Sequence, residues 1–292
     1  MNIGFFGDKL WATNSLKIFL REKKIKIKFV CLRFKNPDLE LAKLAKKNKI
    51  KVIRIKNINS HKFFEFLKSQ HLDLLVSMSF NQIFKKKILS YYKNKIINCH
   101  ASLLPHYRGR SPLNWVLIND EKYFGITVHF VNKFIDRGDI ILQKKFRIKD
   151  SDDYKSLLMK SYLNCPKILG EATKLFINNK IKPIKQNNLD FKGSYFGKRK
   201  KGDEFINWKQ NSRKIYCFIR ALTFPSILAT TRYKNKKILI ENSIICKKKL
   251  DKNIKPGKVL KVTKNFFIVK TTDSAIKVTK WRGKIKENII LY

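Results

Sequence analysis

The chain has 292 residues, of which 43% are hydrophobic, so it is long enough for one large or two modest domains with a sizeable core. Its net charge is +45, from 66 Lys and Arg against 21 Asp and Glu, but the basic residues are spread over every predicted element, and Ile and Asn are abundant too. That spread favours compositional bias over a dedicated phosphate-binding patch. The five cysteines (Cys31, Cys99, Cys165, Cys217, Cys246) are odd in number and form no C-x-x-C, which argues against a disulfide framework or a cysteine zinc site and suits a reducing cytoplasm. No apolar run approaches the roughly 20 residues that span a bilayer, and Asp8 and Lys9 interrupt the start too early for a signal peptide. These features predict a soluble, cytoplasmic protein.

In chain order, Met1 to Phe6 is an apolar strand ending at Gly7, and a helix is expected from about Thr13 to Arg21. Ile25 to Leu32 alternates Lys with apolar residues as a second strand would. After Pro37-Asp38, the stretch L-E-L-A-K-L-A-K-K predicts a short amphipathic helix, followed by a strand over Lys51 to Ile55. Ser60 is a candidate N-cap for the helix through Leu67. Leu74 to Val76 reads as a buried strand, followed by the loop S-M-S-F-N-Q, a brief helix and a strand ending at Asn98. Such alternation predicts an α/β fold with a doubly wound, mostly parallel Rossmann-like sheet. Gly4 and Gly7 do not form a G-x-G-x-x-G, so no dinucleotide fingerprint is present.

Pro112 should start a helix that ends at Asn119-Asp120, and Gly125 to Val131 and Ile140 to Arg147 should be strands. A long helix is expected over Ser151 to Asn178, with Asp152 and Asp153 in its first turn and Pro166 kinking or dividing it. Residues 181–204 are polar and hold Gly193, Gly197 and Gly202, as a linker between a domain of residues 1–180 and one of residues 205–292 would. In the last segment a helix over Ser212 to Leu222 precedes short strands at Lys237–Ile240, Lys258–Val262, Phe266–Lys270 and Ala275–Val278, which predict a small barrel.

The chemistry concentrates between Ile96 and Trp115. Asn98 and His100, spaced by two, would project from one face at the carboxyl end of a strand, where open α/β sheets place their ligand crevices. An amide that holds a carbonyl oxygen beside an imidazole that manages a proton suits acyl chemistry, although a capping pair at a strand end has the same spacing. Cys99 should face the opposite side and belong to the core. His61, His71, His106 and His129 show no partner at metal-ligand spacing, so no metal site is expected.

The ordered stretch N-x-H-A-S-L-L-P-x-Y-R-G-R-S-P-L-N-W, followed by F-G-I-T-V-H-F-V and I-D-R-G-D-I, resembles the signature of the folate-dependent formyltransferases. The resemblance covers about residues 73 to 147, and F-G-K-R and I-N-W are recognisable further on. It implies that Asn98, His100 and Asp136 are catalytic, with Asp136 rather than Asp139 as the acid. It also implies 10-formyltetrahydrofolate as cosubstrate, held by Ser77, Met78, Ser79 and Phe80 with Leu103, Leu104 and Pro105 as an apolar wall, and an OB-like C-terminal barrel. Candidate acceptor-binding residues are Arg108, Arg110, Asn114 and Trp115. Three features bear on the acceptor amine. The chain has G-D-K-L-W-A where the tRNA-formylating members tend to have G-T-P-x-F-A. The segment Arg33 to Leu39 is short and lacks glycine where they carry a long basic loop. H-Y-R-G-R-S-P-L-N-W resembles the sugar-nucleotide enzymes, including the one acting on UDP-linked 4-amino-4-deoxy-arabinose. The expected partner is therefore a nucleotide sugar, with methionyl-tRNA as the alternative. A non-catalytic nucleic-acid binder on the same fold, stacking bases on Phe266, Phe267 or Trp281, is a third reading.

Overall fold

The computed structural model describes residues 1–190, 192–246, 250–251 and 253–292. In chain order the elements are β1 (Asn2–Gly7), α1 (Lys9–Phe19), β2 (Lys26–Leu32), α2 (Leu39–Lys47), β3 (Lys51–Arg54), α3 (His61–Ser69), β4 (Leu74–Met78), α4 (Lys86–Tyr91) and β5 (Ile96–His100). There follow β6 (Arg108–Gly109), α5 (Pro112–Ile118), β7 (Tyr123–Phe130), β8 (Ile140–Arg147), α6 (Tyr154–Ile177) and β9 (Tyr195–Phe196). The last are α7 (Ser212–Ala221), β10 (Ala229–Tyr233), β11 (Lys236–Cys246), β12 (Val259–Val262), β13 (Phe267–Lys270) and β14 (Ala275–Arg282).

Two compact units share the chain. One takes residues 1–109, 124–146 and 159–195, the other residues 110–123, 147–158 and 196–292. The first is built on a seven-stranded sheet of order β3-β2-β1-β4-β5-β7-β8. Strands β1 to β5 run parallel, and β7 pairs antiparallel with β5. The order reverses between β1 and β4, the kind of switch point at whose carboxyl ends open α/β sheets bind ligands. All five residues of β4, L-L-V-S-M, are buried, as a central parallel strand covered on both faces requires.

The core is rich in phenylalanine. Phe6 is fully buried and meets Phe29, Phe63, Phe80 and Phe84 edge-to-face at centroid distances of 5.6, 6.2, 5.4 and 5.1 Å. Each such pair adds about 0.5–1.5 kcal/mol beyond the area it buries. The cluster reaches Phe80 and so fixes the loop after β4. The expected N-cap forms at α3, where Ser60 accepts from the Phe63 amide at 3.4 Å, and Asp38 caps α2 in the same way, accepting from the Leu41 amide at 2.9 Å.

The second unit contains a five-stranded antiparallel sheet of order β10-β11-β14-β13-β12 packed against α7, a half-barrel. Its core includes Trp208, Ile215, Ile219, Ile240, Val259 and Phe267. Strand β10 was absent from the sequence expectation because A-T-T-R-Y offers little apolar alternation, yet Thr230 and Thr231 are buried. Pro166 does not divide α6, which runs continuously from Tyr154 to Ile177. Asp152 and Asp153 precede that helix rather than fill its first turn, and Asp153 caps it by accepting from the Ser156 amide at 2.8 Å.

Candidate active site

The pairing of β5 with β7 sets the geometry. Asn98 stands opposite His129 and His100 opposite Thr127, so all four project from one face of the two strands. Cys99 points the other way and is buried, its thiol 3.8 Å from the Cys165 carbonyl on α6. The loop between β7 and β8 then brings Asp136 back over this face. Its carboxylate accepts from the Gly109 amide at 2.9 Å, lies 3.7 Å from His100 Nδ1 and 3.5 Å from His129 Nε2. Asn98 Nδ2 is 3.4 Å from His129 Nε2.

The turn is built for this position. Asp136 has φ 52°, a left-handed conformation that non-glycine residues adopt at a cost. Two residues on, a Cβ on Gly138 would come within 1.6 Å of the Phe130 carbonyl oxygen, so only glycine lets the loop lie against β7. Ser79 and Tyr107 are left-handed too, at 59° and 58°.

The electrostatics follow from the contacts. Burial works to raise the Asp136 pKa, but the charge of His100, the hydrogen bond and charge of His129 and the Gly109 amide outweigh it, and the carboxyl is held well below the ordinary carboxylate range. It is ionised throughout the neutral range. His100 Nε2 is 2.8 Å from the Tyr107 carbonyl, which only accepts, so Nε2 carries a hydrogen. Nδ1, facing Asp136, then has a hydrogen to offer only when the ring is a cation. His129 Nδ1 likewise donates to the Phe130 carbonyl at 2.8 Å, which in the neutral ring leaves Nε2 as an acceptor for the Asn98 amide.

The other predicted residues fall in different places. Ser77 and Met78 end β4 and are buried, and Ser79 and Phe80 begin the loop beyond it. Arg33 donates to the Ser79 carbonyl at 3.1 Å and pairs with buried Asp8 at 3.0 Å, which ties this loop to the end of β1. Burial raises the Asp8 pKa against the opposing charge of Arg33. Leu103 packs over Gly125, and Leu104 is held at both backbone ends, its amide donating to Thr127 Oγ1 at 3.3 Å and its carbonyl accepting from Gln143 at 2.8 Å. Pro105 follows, buried.

Arg108 is 2% exposed, and its Nε and Nη2 both donate to Gln186, at 3.1 and 2.8 Å. Those donors are spent inside the protein, unlike the open guanidinium expected for acceptor binding. Arg110, Asn114 and Trp115 belong to the second unit. Arg110 is exposed. Asn114 is buried and donates to the Ala221 carbonyl at 2.6 Å, a structural tie between α5 and α7. Trp115 stacks on Phe196 with centroids 4.9 Å apart, and its buried indole N–H has no hydrogen-bond partner among the described residues.

Sequence reasoning passed over His129, Thr127 and Gln186. The first two carried a signal: in F-G-I-T-V-H-F, Thr127 and His129 alternate on one strand face as Asn98 and His100 do. Gln186 had none, because its contacts are 48 to 78 residues away in sequence. Phe267 is fully buried and packs edge-to-face on Trp281 at 5.0 Å, so these two rings serve the half-barrel core rather than an exposed stacking surface.

Residues 8–173 match the formyl transferase family and residues 198–289 the formyl transferase C-terminal domain. The chain belongs to this family, and it is a folate-dependent formyltransferase. It is 42% identical over 199 residues to the bifunctional polymyxin resistance protein ArnA of Wigglesworthia glossinidia brevipalpis, an alignment covering 68% of this chain and 30% of that protein. Against methionyl-tRNA formyltransferase of Clostridium tetani it is 32% identical over 292 aligned positions, covering 96% and 91% of the two chains. The crystal structure of WlaRD, a sugar 3N-formyl transferase with dTDP and 5-N-formyl-THF, superposes with a TM-score of 0.74 at 26% identity, covering 98% of this chain and 99% of that one.

Proposed function

We propose that this enzyme transfers the formyl group of 10-formyltetrahydrofolate to the primary amine of a nucleotide-linked sugar, with Asn98, His100 and Asp136 carrying the reaction. The observation that carries the catalytic reading is the convergence of an amide, two imidazoles and one ionised carboxylate on the face shared by β5 and β7. In the reaction a C–N bond forms between the amine and the formyl carbon, the bond from that carbon to folate N10 breaks, and the amine proton ends on N10. Asn98 donates to the formyl oxygen as it gains charge. His100, its Nε2 held by the Tyr107 carbonyl and its Nδ1 facing Asp136, stabilises the same oxygen or takes the amine proton, and His129 stands beside the Asn98 amide. Removing one such donor costs on the order of a hundredfold to a thousandfold in rate. The end of β4 and the Leu103–Pro105 turn supply apolar surface for the pterin, while Arg110 and Trp115 remain candidates for the acceptor.

The sugar reading rests on the form H-Y-R-G-R-S-P-L-N-W, on the likeness to WlaRD, and on the short connection between β2 and α2. Arg33 in that connection is committed to Asp8 and Ser79, which leaves little basic surface there for an acceptor stem. Methionyl-tRNA is the second reading, favoured by the near full-length similarity to the Clostridium tetani enzyme. The five free cysteines agree with a cytoplasmic setting.

The test offers 10-formyltetrahydrofolate with UDP- and dTDP-linked 3-amino and 4-amino sugars, and separately with initiator methionyl-tRNA. The expected result is rapid formylation of an amino sugar with a shallow salt dependence. A tRNA that neutralises several phosphates would show a log–log salt slope on the order of five or more. Rapid tRNA formylation with that slope, and no turnover of any sugar, would overturn the acceptor assignment.

A further inference from the structure

Gln186 lies in the polar stretch between the two family matches, yet it is 3% exposed and all four hydrogen-bonding positions of its amide are used. Its Oε1 accepts from Arg108 Nε and Nη2 at 3.1 and 2.8 Å, and its Nε2 donates to the carbonyls of Asp136 and Gly138 at 2.8 Å each. A guanidinium can only donate and a carbonyl can only accept, so these partners fix which end of the amide is which.

The two arms of this amide end on the two sides of one contact. One arm holds Arg108, whose neighbour Gly109 donates its amide to the Asp136 carboxylate at 2.9 Å. The other holds the backbone of Asp136 itself, in its left-handed conformation, and of Gly138 pressed against Phe130. The segment bearing Gln186 is itself anchored. Ile184 pairs with Ile140 on β8, Ser194 Oγ accepts from the Tyr107 amide at 2.8 Å, and a Cβ on Gly193 would meet the Pro105 carbonyl at 2.5 Å and Arg108 Nη1 at 2.8 Å.

We infer that Gln186 is a positioning residue for formyl transfer: it clamps Arg108 to the Asp136–Gly138 turn and so sets the Asp136 carboxylate against His100 and His129. This rests on the catalytic reading of Asp136 given above. Gln186 touches no reacting atom, so its loss should act on kcat through Asp136 and leave donor binding alone. Misplacing a catalytic group by about 1 Å costs roughly a hundredfold.

Gln186→Glu separates the two arms. The carboxylate still accepts from Arg108 but sets an acceptor against the two carbonyls of the turn. Turnover of 10-formyltetrahydrofolate is measured with a dTDP-linked 3-amino sugar and with initiator methionyl-tRNA, using the faster acceptor, for Gln186→Glu, Gln186→Ala, Asp136→Ala and the Asp136→Ala/Gln186→Glu double variant. Circular dichroism melts give the folded fraction of each. The expected result is a kcat loss of roughly tenfold to a hundredfold for both Gln186 variants, an unchanged KM for the donor, and no further loss when Gln186→Glu is added to Asp136→Ala. Three results would overturn the inference: wild-type kcat in folded Gln186→Glu, a loss equal to the unfolded fraction in both Gln186 variants, or a full additional loss in the double variant. Near-normal turnover in Asp136→Ala would instead sink the catalytic reading together with the inference built on it, so the two failures are told apart.

Discussion

Two polar clusters in the molecule look alike as a list of residue types and differ in how they are closed. In the second unit, Arg213 grips Asp120 with two bonds of 2.7 and 2.6 Å and Asp150 with a third of 2.7 Å, while buried Arg220 reaches Asp120 at 3.1 Å. Those bonds hold the Asp120 pKa down, chiefly through Arg213, and raise that of Arg213, chiefly through Asp120. Around Asn98, the side-chain separations are 3.4, 3.5 and 3.7 Å, and the short bonds run instead to backbone groups: Tyr107 and Phe130 carbonyls and the Gly109 amide. The first cluster joins its charges side chain to side chain, with Arg220 also donating to the carbonyls of Lys149 and Asp150. The second is pinned from behind by backbone and leaves its side chains unsaturated toward one another, which is what a site that must still engage a reagent requires.

That contrast should separate under mutation. The largest effect is expected at the open cluster: Asn98→Ala and Asp136→Ala should each lose about a hundredfold to a thousandfold in turnover, with far-ultraviolet circular dichroism unchanged. Asp139→Ala should stay close to the wild type, since its backbone carbonyl, not its side chain, accepts from the Phe130 amide at 2.9 Å. An inactive Asp139→Ala beside an active Asp136→Ala would mean the acid is misassigned. At the closed cluster the expectation reverses. Asp120→Ala should leave turnover of the folded protein unchanged and cost about 1.5–3 kcal/mol in urea unfolding, because Arg213 and the buried Arg220 lose a charged partner.

How far these clusters were legible beforehand follows from their contact ranges. Asn98, His100 and Asp136 stood in an ordered motif, and the parallel sheet followed from strand–helix alternation, with Ser60 marking a helix start. His129 was missed because register, not sequence spacing, sets it opposite Asn98. Arg108 was expected to bind the acceptor, since nothing in R-G-R tells that the first guanidinium is buried against a glutamine 78 residues away while Arg110 stays exposed. Strand β10 lacked alternation, and the continuity of α6 through Pro166 is a tertiary outcome that local propensity argues against. We propose the division of the chain at residues 181–204 as a functional boundary, and the structure sharpens where it should open. Ile184, Gln186 and Ser194 are tied into the first unit, whereas Gly197, Lys198 and 200–203 are exposed. Limited proteolysis should therefore cut first between Gly197 and Asp203. A first cut inside residues 96–140 would contradict this.

The central claim, that the unsaturated cluster on β5 and β7 performs the transfer, is tested most directly at His100. Formyl transfer by His100→Ala is measured at saturating 10-formyltetrahydrofolate with the preferred acceptor, on protein whose thermal melt matches the wild type. The account predicts a loss of about a hundredfold to a thousandfold in kcat with the donor KM little changed. Turnover near that of the wild type in the folded variant would contradict it.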